Sequence, residues 1–136
     1  MELDKSFAVA FAGMSAQSER LKVIAENLAN ADSTAQSPDA DPYKRQVVNF
    51  EDVLDKQLGV DTVKVSGITT IQTGFGRRYE PGHPAADASG YVKTPNVNSI
   101  TELMDMREAQ RSYEANLNVI DAAKSMLSRA LDVLHG

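Results

Sequence analysis

The positions of the helix breakers constrain this chain more than any other feature. All five Pro and six of the eight Gly fall between Ser33 and Asn96. The two ends are nearly free of both, so each can form a long uninterrupted helix, while the middle must turn often. The pattern predicts two long terminal helices packed as a coiled-coil-like pair around a small strand-and-loop module. The fold is mainly α with a small β-containing middle. The parts are residues 1–33 (N-terminal helix), 34–98 (strand/loop module) and 99–136 (C-terminal helix).

From about Asp4 to Asn30 only Gly13 interrupts the helix formers. Leu3, Phe7, Ala10, Met14, Gln17, Leu21, Ile24, Leu28 and Ala31 recur at spacings of three and four, a seam of period 3.5. Asn30 is a sensible stop, because Asn tolerates the left-handed backbone at a helix end. At the other end Ser99-Ile100-Thr101-Glu102 has the form of a capping box. A second seam then runs Leu103, Met106, Gln110, Tyr113, Leu117, Ile120, Lys124, Leu127, Leu131, Leu134. A helix over 99–134 would be roughly 54 Å long at ~1.5 Å per residue. The breaks at Gln110 and Lys124 have two readings. They fix register by demanding a partner, or Lys124 carries its charge out to solvent.

In the middle, Pro42 to Phe50 reads as an extended strand, and Thr62–Val65 and Gly67–Ile71 as β-branched strand segments. Glu80–Pro84 and Ala88–Gly90 read as turns, as does Gly74–Arg78 with its two surface cations.

Packing the two helices together uses one face of each, and the sequence offers more. On the C-terminal helix Ala115, Val119, Ala122, Met126, Ala130 and Val133 form another row, offset roughly 200° from the first. Phe7 to Ala16 is apolar or small nearly all round, which is the mark of a helix buried on every side. A chain of 136 residues has too little other material to cover four such faces. Self-assembly accounts for the excess; a monomeric bundle with the middle folded over the helices is the alternative.

Composition removes several function classes. There is no Cys, hence no disulfide, thiolate metal site or Cys nucleophile. The net charge of -5 is spread over all three parts with no basic patch, which argues against nucleic acid. The apolar faces lack flanking basic residues, so direct lipid binding is not expected. No stretch approaches the ~18 apolar residues of a membrane span, and no cleaved signal peptide is apparent. His83 and His135 have no second ligand at metal spacing, Asp39 and Asp41 lack the rest of a calcium loop, and Gly74–Arg78 lacks the Lys-Ser/Thr of a phosphate loop. No catalytic residue, cofactor or metal is assigned.

Gln17 to Ser33, with Asn27-Leu28-Ala29-Asn30-Ala31 at its centre, resembles the N-terminal signature of flagellar rod and hook axial proteins. Pro42–Val48, Tyr79–Asn98, Arg111–Asn116 and Ala123–Met126 resemble the proximal rod members of that family, so the likeness covers nearly the whole chain apart from 51–76. The resemblance implies a structural subunit of the flagellar basal-body proximal rod, a drive shaft crossing the periplasm. Such subunits are exported unfolded by the flagellar type III apparatus without a cleaved signal. Implied partners are other copies, neighbouring proximal rod proteins and the protein joining rod to membrane ring. The competing reading is a soluble helical adaptor or chaperone. The expected assembly interface comprises Phe7, Met14, Leu21, Ile24, Asn27, Leu28, Asn30, Leu103, Met106, Tyr113, Leu117, Val119, Ile120, Met126, Leu127, Leu131 and Leu134. Asn27 and Asn30 are expected both to cap the first helix and to hydrogen-bond a neighbour.

Overall fold

A computed structural model of the chain describes residues 2–136. Its elements run α1 (Glu2–Ala29), β1 (Gln46–Asp55), β2 (Val60–Thr70), β3 (Gly76–Tyr79), β4 (Tyr91–Thr94) and α2 (Ser99–His135). The architecture is the expected one, two terminal helices flanking a small antiparallel β module. No described helix is long and apolar enough to cross a membrane.

Glu2 and Asp4 place negative charge on the first turn of α1, where the helix dipole favours it. Its C-terminal end differs from expectation: among the described residues no non-Gly residue has a positive φ, Asn30 included. Asn30 instead turns its side chain back, and both its backbone N–H (3.1 Å) and its Nδ2 (2.8 Å) donate to the Glu26 carbonyl. Ser33 then donates to the Asn30 carbonyl from its N–H and its hydroxyl. Carbonyls at this end are met by backbone N–H groups and side chains together, without a left-handed residue.

The start of α2 also differs from the capping box. The cap is Asn98, whose side chain accepts from the N–H groups of Ile100 (3.0 Å) and Thr101 (3.3 Å). Glu102 is thereby released from a capping duty and points inward.

The two helices pack antiparallel. Gly13 faces Asn116, Arg20 reaches Glu108 (3.6 Å) and Asn27 reaches Glu102 (3.1 Å), so the pairing climbs α1 as it descends α2. Small residues recur among those the helices bury: Ala10, Gly13 and Ala16 stand with Val23, Ile24 and Asn27 on α1, and Ala109 and Ala123 with Glu102 and Ile120 on α2. The facing stripe on α2 therefore lies one position to the side of the Leu103–Met106–Gln110 row that periodicity suggested. Small side chains let the helices approach closely, whereas a seam of Leu and Met would hold them apart.

β1 and β2 form a long hairpin along α1. Asp55 builds its turn: Oδ1 accepts from Gln57 (3.0 Å) and Leu58 (3.2 Å) N–H groups, and Gly59 supplies φ 66. The strand begins at Gln46, not at Pro42, because the Arg45 N–H donates to Asn96 Oδ1 instead of to a ladder partner. The segments read as Thr62–Val65 and Gly67–Ile71 are one strand. Asn49 pairs with Gly67 and Phe50 with Val65, which leaves Ser66 as a bulge whose hydroxyl donates to the Asn49 carbonyl.

Gly76–Tyr79 pairs with Tyr91–Thr94 as a second hairpin, where a turn was expected. A side chain at Gly76 would collide with Thr94 Oγ1. Arg77 lies over the Tyr91 ring (4.7 Å) and pairs with Asp87 (3.0 Å). Val92 and Ala85 are buried with Pro42, Gly90 and Pro95 as a small separate core.

Candidate assembly interface

Where α1 ends and α2 begins, side chains from every part of the chain meet. Asn27 Nδ2 donates to the Gln46 carbonyl (2.8 Å) and to Glu102 Oε2 (3.1 Å). Its Oδ1 accepts from the Tyr43 hydroxyl (2.6 Å) and the Gln46 N–H (3.0 Å). Two donors and two acceptors are all an amide has, so Asn27 is saturated. Glu102, wholly inaccessible to solvent, gives its other oxygen to Arg45 Nε, and Arg45 reaches on to Asp105 (3.1 Å). Asn96 closes the ring: it accepts from Arg45 N–H and donates to the Ile71 carbonyl (2.9 Å) and to Thr73.

A buried charge is tolerated only when paired and hydrogen-bonded, and Glu102 is both. The cluster joins α1, the 30–45 connection, β1, the end of β2 and α2 at one point. Burial raises the Tyr43 phenol above its ordinary range, with the negative charges of Glu26 and Glu102 acting in the same direction. Its proton stays on to donate to Asn27.

Away from this joint the helices keep much of their apolar surface outside. Leu103, Leu117, Leu127, Leu131 and Leu134 are exposed, and so are Val119, Met126 and Val133 on the second row. Over the last turns of α2, from Lys124 onward, both rows therefore face solvent at once. Exposure is greatest at the C-terminal end, 81% at Val133 and 80% at Leu134. Ile100 and Met104 extend the apolar patch at the start of the helix. On α1, Phe7 stacks on Phe11 (6.2 Å between ring centres), with Phe11 more than half exposed.

The residues expected at an assembly interface thus divide. Ile24, Asn27 and Ile120 are buried inside the single chain, so they hold the molecule together and are not free to meet a neighbour. Phe7, Met14, Leu21, Leu28, Asn30, Met106 and Tyr113 are half-buried, while Leu103, Leu117, Val119, Met126, Leu127, Leu131 and Leu134 are exposed. Gln110 and Lys124 are exposed as well, which fits a charge carried to solvent better than a polar register lock.

Sequence reasoning missed Tyr43, Arg45, Asn96 and Glu102 as one unit. A signal existed on α2: Glu102, Asp105, Ala109, Ser112, Asn116, Ile120 and Ala123 recur at spacings of three and four and are mostly small or polar. Such a row marks the side where a second helix approaches closely. The partners of Glu102 could not be found this way, because they lie 57 and 75 residues distant.

Among the described residues, no group of three or more His, Asp or Glu side chains could hold a metal ion.

Two family models match the ends of the chain. One described as "Flagella basal body rod protein" covers residues 7–35, and one described as "Flagellar basal body rod FlgEFG protein C-terminal" covers 88–133. Curated relatives match throughout. The chain is 46% identical to the flagellar basal-body rod protein FlgC of Agrobacterium fabrum, over 97% of this chain and 95% of that one. It is 44% identical to the Salmonella typhimurium protein of the same name, over 96% and 97%, and 36% identical to that of Bacillus subtilis, over 94% and 95%.

Proposed function

The chain belongs to the FlgC family of flagellar basal-body rod proteins, and from that premise we propose that it polymerises through the outer faces of α1 and α2. It is a structural subunit of the flagellar rod. In our reading it is a non-catalytic one. Its deepest charged residue, Glu102, and the Arg45 bound to it are committed to holding elements together.

The observation that carries this reading is the simultaneous exposure of both apolar rows over the last turns of α2. A helix that needed only α1 as partner would present one apolar stripe and keep the opposite face polar. Leu127, Leu131 and Leu134 on one side and Met126, Ala130 and Val133 on the other call for neighbours on both. Such neighbours are present in a tube of helices. Each internal contact is modest, since burying one large aliphatic side chain contributes about 1.5–3 kcal/mol, yet a closed ring of such contacts adds up. The partners proposed are further copies, neighbouring proximal rod proteins and the protein joining rod to membrane ring. The chain would lie in the rod where it crosses the periplasm.

Replacing the chromosomal copy with a chain carrying Leu127→Glu and Leu131→Glu tests the reading. Loss of motility, with basal bodies that lack a rod beyond the membrane ring, is the expected result. Normal rods containing this variant would refute polymerisation through α2.

A further inference from the structure

The two hairpins expose faces of opposite character. Alternate residues of a strand share a side, so the pairs Phe50–Val65, Asp52–Val63 and Leu54–Asp61 lie on one side of the first hairpin. There Phe50 (39%) and Leu54 (56%) are exposed, with the exposed Asp52 and Asp61 diagonal to each other beside them. All ion pairs among the described residues are made elsewhere, so neither carboxylate has a cation. Lys64, the one cation of β1 and β2, stands opposite Glu51 on the other side.

The second hairpin presents the converse. Val92 is buried in the small core, which leaves Arg77, Tyr79, Tyr91 and Lys93 together on the outer side, in the pairs Arg77–Lys93 and Tyr79–Tyr91. The tyrosine rings meet edge to face at 5.3 Å and Arg77 lies 4.7 Å over Tyr91, so the patch is ordered in advance. Two cations directly opposite each other repel. Asp87 answers Arg77 at 3.0 Å, but Asp41 must serve Lys93 (3.4 Å) and Lys44 (3.8 Å) together. Each face thus holds a like-charged pair beside exposed apolar surface, and each supplies the charge that the other lacks. Tyr and Arg are side chains that interfaces favour, and ordered ones lose little freedom on contact.

The two faces do not meet within one chain. Among the described residues neither β3 nor β4 comes near β1, β2 or a helix. The first hairpin runs back along α1, where Val53 and Thr62 lie with Ala12 and Glu19, and Val60 with Val9. Ala12 is about 20 Å along α1 from Asn27 and the polar joint. The second hairpin hangs from the joint end, through Asn96 and Thr73. We propose that the outer face of the second hairpin, formed by Arg77, Tyr79, Tyr91 and Lys93, docks on the Phe50, Asp52, Leu54 and Asp61 face of a second copy of this chain. Two unlike patches at different levels of the molecule make a head-to-tail contact, and repeating it adds copies in one direction. The β modules then fasten successive subunits independently of the apolar rows of α2.

The proposal rests on the rod reading, and the two fail in different ways. The chain has no Cys, so introduced thiols report contacts without background. Two differently tagged copies, one carrying Asp52→Cys and one Lys93→Cys, are produced in the same cells, and isolated basal bodies are treated with a short bis-maleimide. The product joining the two tags should exceed the like-with-like products at least about ten-fold, as a contact between unlike patches requires. Basal bodies that contain both copies without that product, or with like-with-like products in equal amount, would overturn the docking and leave the rod reading standing. Basal bodies without the chain, tagged or native, would sink the rod reading and the docking with it. Cross-linking of either thiol to a different basal-body protein would overturn the choice of a second copy as occupant. Adding Asp61→Lys to the Asp52→Cys copy should lower the yield at least about five-fold, because a third cation then faces Arg77 and Lys93. An unchanged yield would refute the charge pairing.

Discussion

Asn27 and Glu102 meet across the helix pair at 3.1 Å, although 75 residues separate them in the chain. Neither is accessible beyond 1%. Replacing Asn27 by Ala leaves four polar groups short of a partner: the Gln46 N–H and carbonyl, the Tyr43 hydroxyl and one oxygen of Glu102. An orphaned buried group costs about 1–3 kcal/mol, and a charged one more. Water entering the gap would relieve part of this, so Asn27→Ala should cost about 3–5 kcal/mol in urea unfolding followed by circular dichroism. Asn27→Asp should do no better at neutral pH, since it sets a second carboxylate against Glu102 and removes a donor. A loss under about 1 kcal/mol in either variant would mean the joint is not what fastens the helices.

The breaker-free ends made both helices readable from sequence, because 3.6-residue periodicity over 28 and 37 residues is hard to mistake. The side facing the partner was harder to read. Leu103, Leu117, Leu127 and Leu134 are the more apolar row, but the space between two close helices admits Gly13, Ala16 and Ala109 better. Apolarity on α2 marks the surface that the single chain leaves exposed, which is why periodicity alone conflated the inner and outer faces. Asn27 stood out within its Asn-Leu-Ala-Asn segment, though what it binds did not, since Tyr43, Gln46 and Glu102 are brought to it by tertiary structure. The second hairpin was missed because Gly76-Arg77-Arg78-Tyr79 is too short and too charged to show a period of two.

Gly13 sits where a β-carbon would lie 2.6 Å from Asn116 Nδ2 and 3.0 Å from its Cγ. In an open helix Gly→Ala is favourable by about 1 kcal/mol. Here the Asn116 amide would have to move and give up its bond to the Ser112 carbonyl (3.0 Å). Gly13→Ala should therefore gain nothing or lose up to about 1 kcal/mol. In an Asn116→Ala background the same change should gain about 1 kcal/mol. The difference is a coupling that a double-mutant cycle on thermal unfolding would measure, and simple additivity would contradict the packing described.

Tyr43 makes the joint sensitive to alkali. Its phenol is raised from the ordinary value of 10.0, chiefly by burial and further by Glu26 and Glu102. The unfolded chain therefore loses this proton at a lower pH than the folded one. The stabilisation is complete below about pH 10 and declines as pH rises through the folded value. Tyr43→Phe should abolish this alkaline loss while costing about 1 kcal/mol at pH 7, where Asn27 Oδ1 keeps only the Gln46 N–H. Unfolding free energies measured across pH 8 to 12 for both chains would decide; parallel curves would exclude Tyr43 as the source.

Asp87 behaves in the opposite sense at acid pH. The Tyr91 N–H, then Ser89 N–H and Arg77, hold its carboxyl below the ordinary value of 3.8. A lowered folded value means the turn is supported above about pH 4, and the support fades as pH falls through the folded value. The amide signals of Ser89 and Tyr91 should shift together as the pH is lowered below 4. Asp87→Asn should remove that titration and leave the helices unaffected, since the second hairpin packs on its own small core of Val92 and Ala85. A helix signal that changed with Asp87→Asn would show the two regions to be coupled.

Ile120 and Leu131 stand on the same α2 row but serve different ends. Ile120 is 3% exposed and Leu131 47%. Truncating Ile120 to Ala removes buried methylenes against α1 and should cost about 2–4 kcal/mol in the isolated chain. Leu131→Glu touches nothing that the single chain buries, so its effect on monomer stability should stay within about 0.5 kcal/mol. In cells the order reverses. A carboxylate placed where two apolar helix faces meet would have to be desolvated without a partner, and Leu131→Glu should abolish motility outright. Ile120→Ala should give a partial, temperature-dependent loss, because in the proposed assembly neighbouring subunits would support the helix from outside. Monomer unfolding and swimming-zone diameter, measured for both variants, separate the two roles. If Leu131→Glu swam normally, the outer row of α2 would not be an interface, whatever its apolar content.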